Sequence, residues 1–168
     1  MVSDLGYAQF VWNGTRWRPP SGFIQIYLNG AQSAVTGTTT QTQLYALTIP
    51  GGLLGLNGKV HGKVFGAASG GTTAKNILLN IAGVSTQIGS YTTNQSVEID
   101  FELVNRNSQT ANAVRSLATT PTGSTVSLVN GVALSANTAI DQVLSIDGAL
   151  TTSTDTIALY AADIYIKV

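Results

Sequence analysis

The sequence has no cysteine and little charge, and each of these features limits what the protein can be. Without cysteine, neither disulfide bonds nor thiolate zinc sites can stabilise the fold. Charged residues make up 10% of the chain, whereas about 25% is usual for soluble globular proteins. About one residue in three is instead Ser, Thr, Asn or Gln. We therefore expect a fold held by packing, with a surface rich in hydroxyl and amide groups.

The balance of charge and the length of the apolar runs argue against two classes of partner. Eight basic and eight acidic residues give a formal net charge of zero, so no excess of positive charge favours a nucleic acid or an anionic membrane. The apolar runs reach five or six residues, as at 157–162, far fewer than the roughly 20 needed to span a bilayer. We expect neither nucleic acid nor membrane as a partner.

Apolar and polar residues alternate along most of the chain with a period of two, which is typical of half-buried strands. The predicted strands are 23–28, 44–49, 59–65, 75–81, 97–104, 113–118, 125–129, 143–146 and a long final strand within 157–168. Clusters of Gly, Asn, Asp, Ser and Thr separate them. This pattern predicts an all-β antiparallel sandwich or jelly roll over residues 21–168.

The first 20 residues differ from the rest. Trp12 and Trp17 flank an Asn13-Gly14 turn signal, which is typical of a two-stranded hairpin, and Pro19-Pro20 then ends any ladder. We predict a hairpin and linker segment over residues 1–20, whose tryptophans either clamp the hairpin against a neighbouring surface or form a platform for stacking on sugar.

Two groups of residues resemble proteins of tailed bacteriophages. Val2-Ser3-Asp4-Leu5-Gly6, Trp12-Asn13-Gly14-Thr15 and Trp17-Arg18-Pro19 together resemble a short element of phage fibre and virion-associated proteins. Leu47-Thr48-Ile49-Pro50, Leu53-Leu54-Gly55-Leu56-Asn57-Gly58 and Lys75-Asn76-Ile77-Leu78-Leu79 resemble a second pattern from the same proteins. The resemblance implies a trimeric jelly roll at the virion surface, with other virion proteins as partners and a role in virion structure or host attachment.

Ionisable side chains form two stripes on predicted strands. His61, the only histidine, alternates with Lys59 and Lys63, while three carboxylates alternate with apolar residues at Glu98, Asp100 and Glu102. Carboxylates spaced about 6–7 Å apart could hydrolyse glycosides, hold calcium or form an ordinary polar sheet face. If both strands lie in one sheet, the basic stripe is the electrostatic complement of the acidic one.

The motifs of common catalytic sites are missing. The chain has no Gly-x-Ser-x-Gly elbow, no glycine-rich phosphate loop that opens a helix, and too few histidines for a multi-histidine metal site. We therefore predict that the protein is not an enzyme and needs neither a cofactor nor a metal ion.

The predicted loops carry the candidates for ligand binding, because binding residues concentrate on the loops of rigid scaffolds. Tyr91 with Asn94, and Arg106 with Asn107, could stack on and hydrogen-bond to a bacterial surface polysaccharide. These four residues are the predicted ligand site.

Some predicted strands are apolar on both faces, although a sandwich buries only one face of each sheet. We expect another copy of the chain to cover the second face. The sequence alone allows a two-fold dimer or a closed ring, and the resemblance to phage fibres and spikes implies a homotrimer. The candidate interface residues are Leu44, Leu78, Leu159, Tyr160 and Tyr165.

Three functional hypotheses follow. The first is a receptor-binding module of a phage tail fibre, spike or head fibre, located at the virion surface. The second is a capsid decoration protein without receptor binding. The third is the carbohydrate-binding module of a secreted hydrolase.

Overall fold

The computed structural model describes residues 11–12, 17–18, 23–119 and 125–167. Over these residues the chain forms thirteen strands and no helix, so no helical segment there could cross a membrane. Two antiparallel sheets pack face to face around one apolar core. The predicted all-β sandwich is confirmed.

All nine predicted strands are present, and most extend beyond their predicted ends. In chain order the strands are β1 (Val11–Trp12), β2 (Trp17–Arg18), β3 (Phe23–Asn29), β4 (Ser33–Thr36), β5 (Thr42–Ile49), β6 (Lys59–Ser69), β7 (Lys75–Ile81), β8 (Val84–Tyr91), β9 (Gln95–Asn105), β10 (Asn112–Thr119), β11 (Thr125–Leu134), β12 (Gln142–Leu150) and β13 (Thr156–Lys167).

The sequence pattern does not predict two of the observed strands, β4 and β8, and the reasons differ. β4 is short and buries only Val35 fully. In β8 a bulge places Ile88 and Gly89 in the interior side by side, so the alternation of the strand is broken.

The strand order is that of a jelly roll. The larger sheet has the order β11-β10-β9-β6-β13-β3, and the smaller sheet has the order β5-β12-β7-β8. β3 and β4 pair with successive parts of β13, so the two act as one interrupted strand. Apart from the hairpin β10–β11, the two sheets therefore have the four-plus-four arrangement of a jelly roll. The hairpin extends the larger sheet beyond β9.

Alternate residues of the long strands form the core. On β9 the inward residues are Val97, Ile99, Phe101 and Leu103, each no more than 2% exposed. The intervening carboxylates face away from the smaller sheet. On β6 the inward positions are likewise every second residue, so both strands have one apolar and one polar face.

A bulge in β13 explains why this strand is apolar at both odd and even positions. Pairing with β6 is regular up to Leu159 and resumes at Ala161, which leaves Tyr160 as the extra residue. Ile157 and Leu159 therefore face inward before the bulge, and Ile164 faces inward after it. Residue 66 of β6 is glycine because a Cβ there would lie 2.1 Å from the carbonyl oxygen of Ala158.

Two residues of the predicted trimer interface are buried at bulges, so this part of the prediction is wrong. Leu159 is fully buried within its own chain, and Leu44, which lies at a bulge in the pairing of β5 with β12, is 8% exposed. Neither side chain is available to a second copy. β5 and β13 have apolar residues at both odd and even positions because each strand shifts register at a bulge. A second apolar surface is not the cause.

The predicted N-terminal hairpin is present, since β1 pairs with β2 and Trp12 lies opposite Trp17. Its turn residues, the tryptophan side chains and the predicted boundary at residue 20 lie outside the described part of the chain. The clamp and the sugar-stacking platform therefore remain predictions.

β7 and β8 are joined by a two-residue turn in which Ala82 and Gly83 have φ values of 54° and 75°. Two left-handed residues in a two-residue hairpin loop define a type I′ turn, for which Asn-Gly is the preferred sequence. An alanine in this conformation is strained because its Cβ approaches the neighbouring carbonyl group.

We predict that Ala82→Asn raises the free energy of unfolding by about 1 kcal/mol, because asparagine tolerates the left-handed conformation better than alanine does. Urea denaturation followed by fluorescence measures the change. Ala133→Asn, at an exposed position of β11, is the matched control and should give no increase. A lower stability of Ala82→Asn would contradict the assigned turn.

Candidate functional site

The face of the larger sheet that points away from the core carries both predicted stripes. β6 and β9 are neighbours, with His61 opposite Glu102 and Lys63 opposite Asp100. β10 continues the same face by placing Arg115 opposite Glu102. The expected complement of basic and acidic stripes is confirmed. We call this surface the charged face: Lys59, His61, Lys63, Glu98, Asp100, Glu102 and Arg115.

The two lysines of the charged face form ion pairs that run diagonally between β6 and β9. Lys59 Nζ lies 2.6 Å from Glu102 Oε1, and Lys63 Nζ lies 2.5 Å from Glu98 Oε1. Arg115 donates a hydrogen bond from Nε to Glu102 Oε2 at 2.7 Å, and its Nη2 lies 2.6 Å from the same oxygen in an ion pair. Glu102 is therefore held by a cation on each side. Such partly exposed pairs orient side chains more than they stabilise the fold.

The electrostatics of Glu102 do not suit acid catalysis. Burial raises the pKa of Glu102, but the hydrogen bonds from Lys59 and Arg115 outweigh burial, so the pKa is lowered overall. A glycosidase acid needs a raised pKa, in order to be protonated near neutral pH. Within the described residues, no group of three or more His, Asp or Glu side chains is placed to hold a metal ion.

A bulge at the edge of the charged face creates a groove. Between the pairs Val114–Val132 and Ser116–Val129, β11 has two residues opposite the single residue Arg115. The extra pair is Asn130-Gly131, and Gly131 adopts a φ of 66° that glycine favours. Bulges of this kind bend an edge strand and redirect its side chains.

The groove beside this bulge has a volume of about 320 Å³ and is open to solvent. Its floor includes Phe101 and Ser116, whose side chains point into the core, so their backbone faces the groove. The remaining lining residues are His61, Asp100, Glu102, Arg115, Leu117, Val129 and Asn130. Asp100 is one of the polar residues of this wall of the groove, with its Oδ1 3.8 Å from His61 Nε2.

Tyr91, one of the four predicted ligand residues, is not in a loop. It ends β8 and is fully buried in the core, where burial raises the pKa of its hydroxyl. The prediction that Tyr91 stacks on a sugar is wrong, because an aromatic ring directly before a loop can complete a core strand equally well.

The other three predicted ligand residues lie at opposite ends of the sandwich. Asn94 precedes β9, whereas Arg106 and Asn107 follow it. An eleven-residue strand separates them, a distance of roughly 33 Å. They cannot contribute to a single small-molecule site.

Asn94 lies at the end of the sandwich where a buried ion pair holds two loops together. Its Oδ1 accepts a hydrogen bond from the Gly70 amide. Nearby, Lys75 and Asp155 are both fully buried, with Nζ and Oδ2 3.3 Å apart. Lys75 also donates to the carbonyl oxygens of Gly71 and Thr73. These contacts join the loop before β7 to the turn before β13, so this end has a structural role.

Arg106 and Asn107 lie at the other end of the sandwich, where hydrogen bonds from Asn105 hold the neighbouring loops together. Asn105 donates to the carbonyl oxygen of Gly55 and to the hydroxyl of Thr138, both at distances below 3 Å. Arg106 and Asn107 are exposed, and Asn107 has a φ of 52°. Both residues remain accessible for binding, but they are far from the groove on the charged face.

The face of the smaller sheet that points away from the core is chemically different. Its residues are mainly amides, hydroxyls and small apolar groups, and we call it the amide face: Gln43, Asn76, Leu78, Asn80, Val143, Ser145 and Asp147. Of the predicted trimer residues, Leu78 lies here and is partly exposed. Tyr160 and Tyr165 belong to the larger sheet, and the hydroxyl of Tyr165 donates to Asp163 at 2.6 Å.

Sequence reasoning missed Arg115, Asn130 and the Lys75–Asp155 pair. The Asn130-Gly131 dipeptide was an available signal, because glycine inside a strand pattern marks a bulge. Lys75 and Asp155 are 80 residues apart in sequence, and no local pattern connects them.

Searches of protein-family models and of curated proteins gave no match. Among solved structures, that of infectious bursal disease virus Gx strain is 9% identical with a TM-score of 0.33, over 94% of this chain and 46% of the viral chain. The Gt strain structure is 11% identical with a TM-score of 0.31, over 99% and 50%. The VP2 subviral particle of the same virus is 7% identical with a TM-score of 0.25, over 96% and 47%. The chain spans about half the length of these viral chains, and likeness at these scores decides neither fold nor function.

We predict that Asp155→Asn destabilises the protein at neutral pH and that its deficit relative to the unchanged protein shrinks in acid. The hydrogen bond from Thr73, aided by those from Gly71 and Lys75, lowers the pKa of Asp155 despite burial. A lowered folded-state pKa contributes stability that is complete above the unfolded value, about 3.9, and is lost as the pH falls through the folded value.

Urea denaturation of both proteins between about pH 7 and pH 2 tests this linkage. The two stabilities should converge below about pH 4, because a protonated Asp155 resembles asparagine. A deficit that stays constant or grows toward low pH would contradict the assigned role of the carboxylate.

Proposed function

We propose that the chain is a non-catalytic virion-surface module of a tailed bacteriophage, of the kind found at the distal part of fibres and spikes, and that it attaches to a glycan of the host surface. The observation that carries this proposal is the combination of a jelly roll with the phage-like elements around Trp12, Trp17 and Leu53. A rigid sandwich can present binding surfaces without chemistry of its own.

The state of the carboxylates supports a binding role. Glu98 and Glu102 are each paired with a lysine, and Glu102 has an arginine as well. Glu102, whose pKa these contacts lower, can accept hydrogen bonds or fix a neighbouring donor, but it does not supply a proton at neutral pH. We therefore propose that the module binds its ligand without cleaving it.

Self-association, as a homotrimer, is the second part of the proposal, and the amide face is the surface we assign to it. Interface cores are depleted of charged residues, and the only ionisable side chain at the centre of this face is Asp147. Asp147 is 5% exposed, and its Oδ2 accepts a hydrogen bond from Gln41 at 2.7 Å. Its Oδ1 has no hydrogen-bond partner among the described residues.

A second copy is the occupant that best fits this face. The amide side chains of this face, such as those of Asn80 and Gln43, offer both hydrogen-bond donors and acceptors. Val143, which is 54% exposed, and Leu78 add apolar area. The face is thus able to supply both polar and apolar contacts to an identical face or its edge.

Light scattering coupled to size exclusion tests assembly. We expect a mass of three chains of 17.4 kDa, and we expect Leu78→Lys to dissociate the assembly because it places an unpaired charge in the interface. Leu28→Lys, an equal change at a leucine that is 68% exposed on the larger sheet, is the control and should remain assembled. A mass near one chain would refute assembly, and a mass near two chains would refute the trimer.

Antibody-gold labelling of intact virions tests the location of the chain, and competition for phage adsorption tests its role in attachment. We expect label at the tips of fibres or spikes, and we expect the purified chain to compete with phage for adsorption to host cells. Label spread over the capsid, without competition, would instead support a decoration protein, the second candidate function. Absence of the chain from virions would refute both.

A further inference from the structure

We infer that the groove on the charged face is the part of the chain that binds the glycan, and that it takes a neutral sugar residue. The inference rests on the proposed attachment function, but it names a site that the predicted ligand residues do not include. Its basis is the groove built by the Asn130-Gly131 bulge beside Asp100 and Arg115.

The charge around the groove favours an uncharged ligand. Arg115 and Lys59 carry positive charge, and Glu102 and Asp100 carry negative charge, so these four groups sum to zero. An anion that bound the remaining N–H groups of Arg115 would lie beside Glu102, whose negative charge repels it. A cation would find only one carboxylate, Asp100, that is without a lysine or arginine within 4 Å.

The polar groups of the wall suit a polyhydroxylated ligand. Arg115 is held at Nε and Nη2 by Glu102, and its side chain is 67% exposed, so its remaining N–H groups are directed to solvent. A guanidinium has five donors in a fixed plane. The Asp100 side chain is 46% exposed and acts as an acceptor, while the exposed Asn130 amide offers both a donor and an acceptor. Planar groups of this kind pair with adjacent hydroxyls of a sugar ring.

The apolar part of the groove is small, so we expect the groove to bind a single sugar weakly. Leu117 is 41% exposed and lines the groove, so it can contact the C–H face of a sugar. The volume of about 320 Å³ lies at the lower end of the range of about 300–1,000 Å³ for small-molecule sites. We therefore expect single sugars to bind with millimolar dissociation constants and polysaccharides to bind more tightly through several copies of the site.

Preorganisation is the feature that distinguishes this groove from an ordinary polar sheet face. The bulge fixes Asn130 through the backbone, and Glu102 fixes Arg115 through a hydrogen bond and an ion pair. Less side-chain entropy is then lost when the ligand binds. A regular, unbulged edge would leave the face flat and without the concavity.

Methyl and amide NMR of the isotope-labelled full chain tests the site, with glucose, galactose and N-acetylglucosamine as neutral probes and glucuronate and inorganic phosphate as anionic probes. We expect saturable shifts of the Leu117 methyls and the Asn130 amide with at least one neutral sugar, and none at the Leu28 methyls. Asp100→Asn and Arg115→Ala should each weaken the binding about tenfold or more.

Asp163→Asn removes the same charge from the same face outside the groove, and it should leave the affinity unchanged. The groove assignment is overturned if no neutral sugar shifts Leu117 or Asn130 up to about 50 mM, if Asp100→Asn binds as tightly as the unchanged chain, or if only an anionic probe binds there. Host polysaccharide that shifts only the end loops would refute the groove and leave the attachment function standing. A full chain that binds no host polysaccharide at all would refute both.

Discussion

The antiparallel register of β6 and β9 is the constraint on which the surface chemistry depends. Both strands bury every second residue, so the register decides at once which side chains form the core and which face solvent. A slip of β6 by one residue would bury Lys63 and expose Val64, and a slip of β9 would bury Asp100 and expose Ile99. Because burying those charges is costly, core packing and surface ion pairing both favour the same alignment.

The two outward faces of the sandwich differ because different strands supply them. The larger sheet carries charges that pair with each other across neighbouring strands, and an added hairpin, β10–β11, brings Arg115 and the bulge that makes the groove. The smaller sheet carries amides and hydroxyls around one nearly buried carboxylate, Asp147. A charged face keeps a ligand site hydrated, whereas an uncharged face loses little on contact with a copy of itself. We interpret the difference as a division between binding and assembly.

Sequence patterns predicted the fold well because period-two alternation is a local property. β7 and β9 were recognised from the alternation of residues such as Ile77 and Leu79, or Val97 and Ile99. The electrostatic pairing of the stripes at Lys63 and Glu98 followed once the two strands were assumed to be neighbours. These properties need no knowledge of distant contacts.

Features that depend on register could not be predicted in the same way. The bulge at Tyr160 makes β13 seem apolar on both faces, and this misled the assignment of Leu159 to a trimer interface. The bulge in β8 interrupts the alternating pattern of that strand, and the sequence therefore predicts a loop at Tyr91. The groove needs β9, β10 and β11 in register, and Arg115 acquires its role only through Glu102 on the neighbouring strand.

The division between the two faces is tested most directly by mass-spectrometric footprinting of the assembled chain with hydroxyl radicals. The account predicts that assembly protects Leu78 and Val143 on the amide face while Leu117 on the charged face stays reactive. Protection of Leu117 on assembly, with Leu78 and Val143 remaining fully reactive, would contradict it.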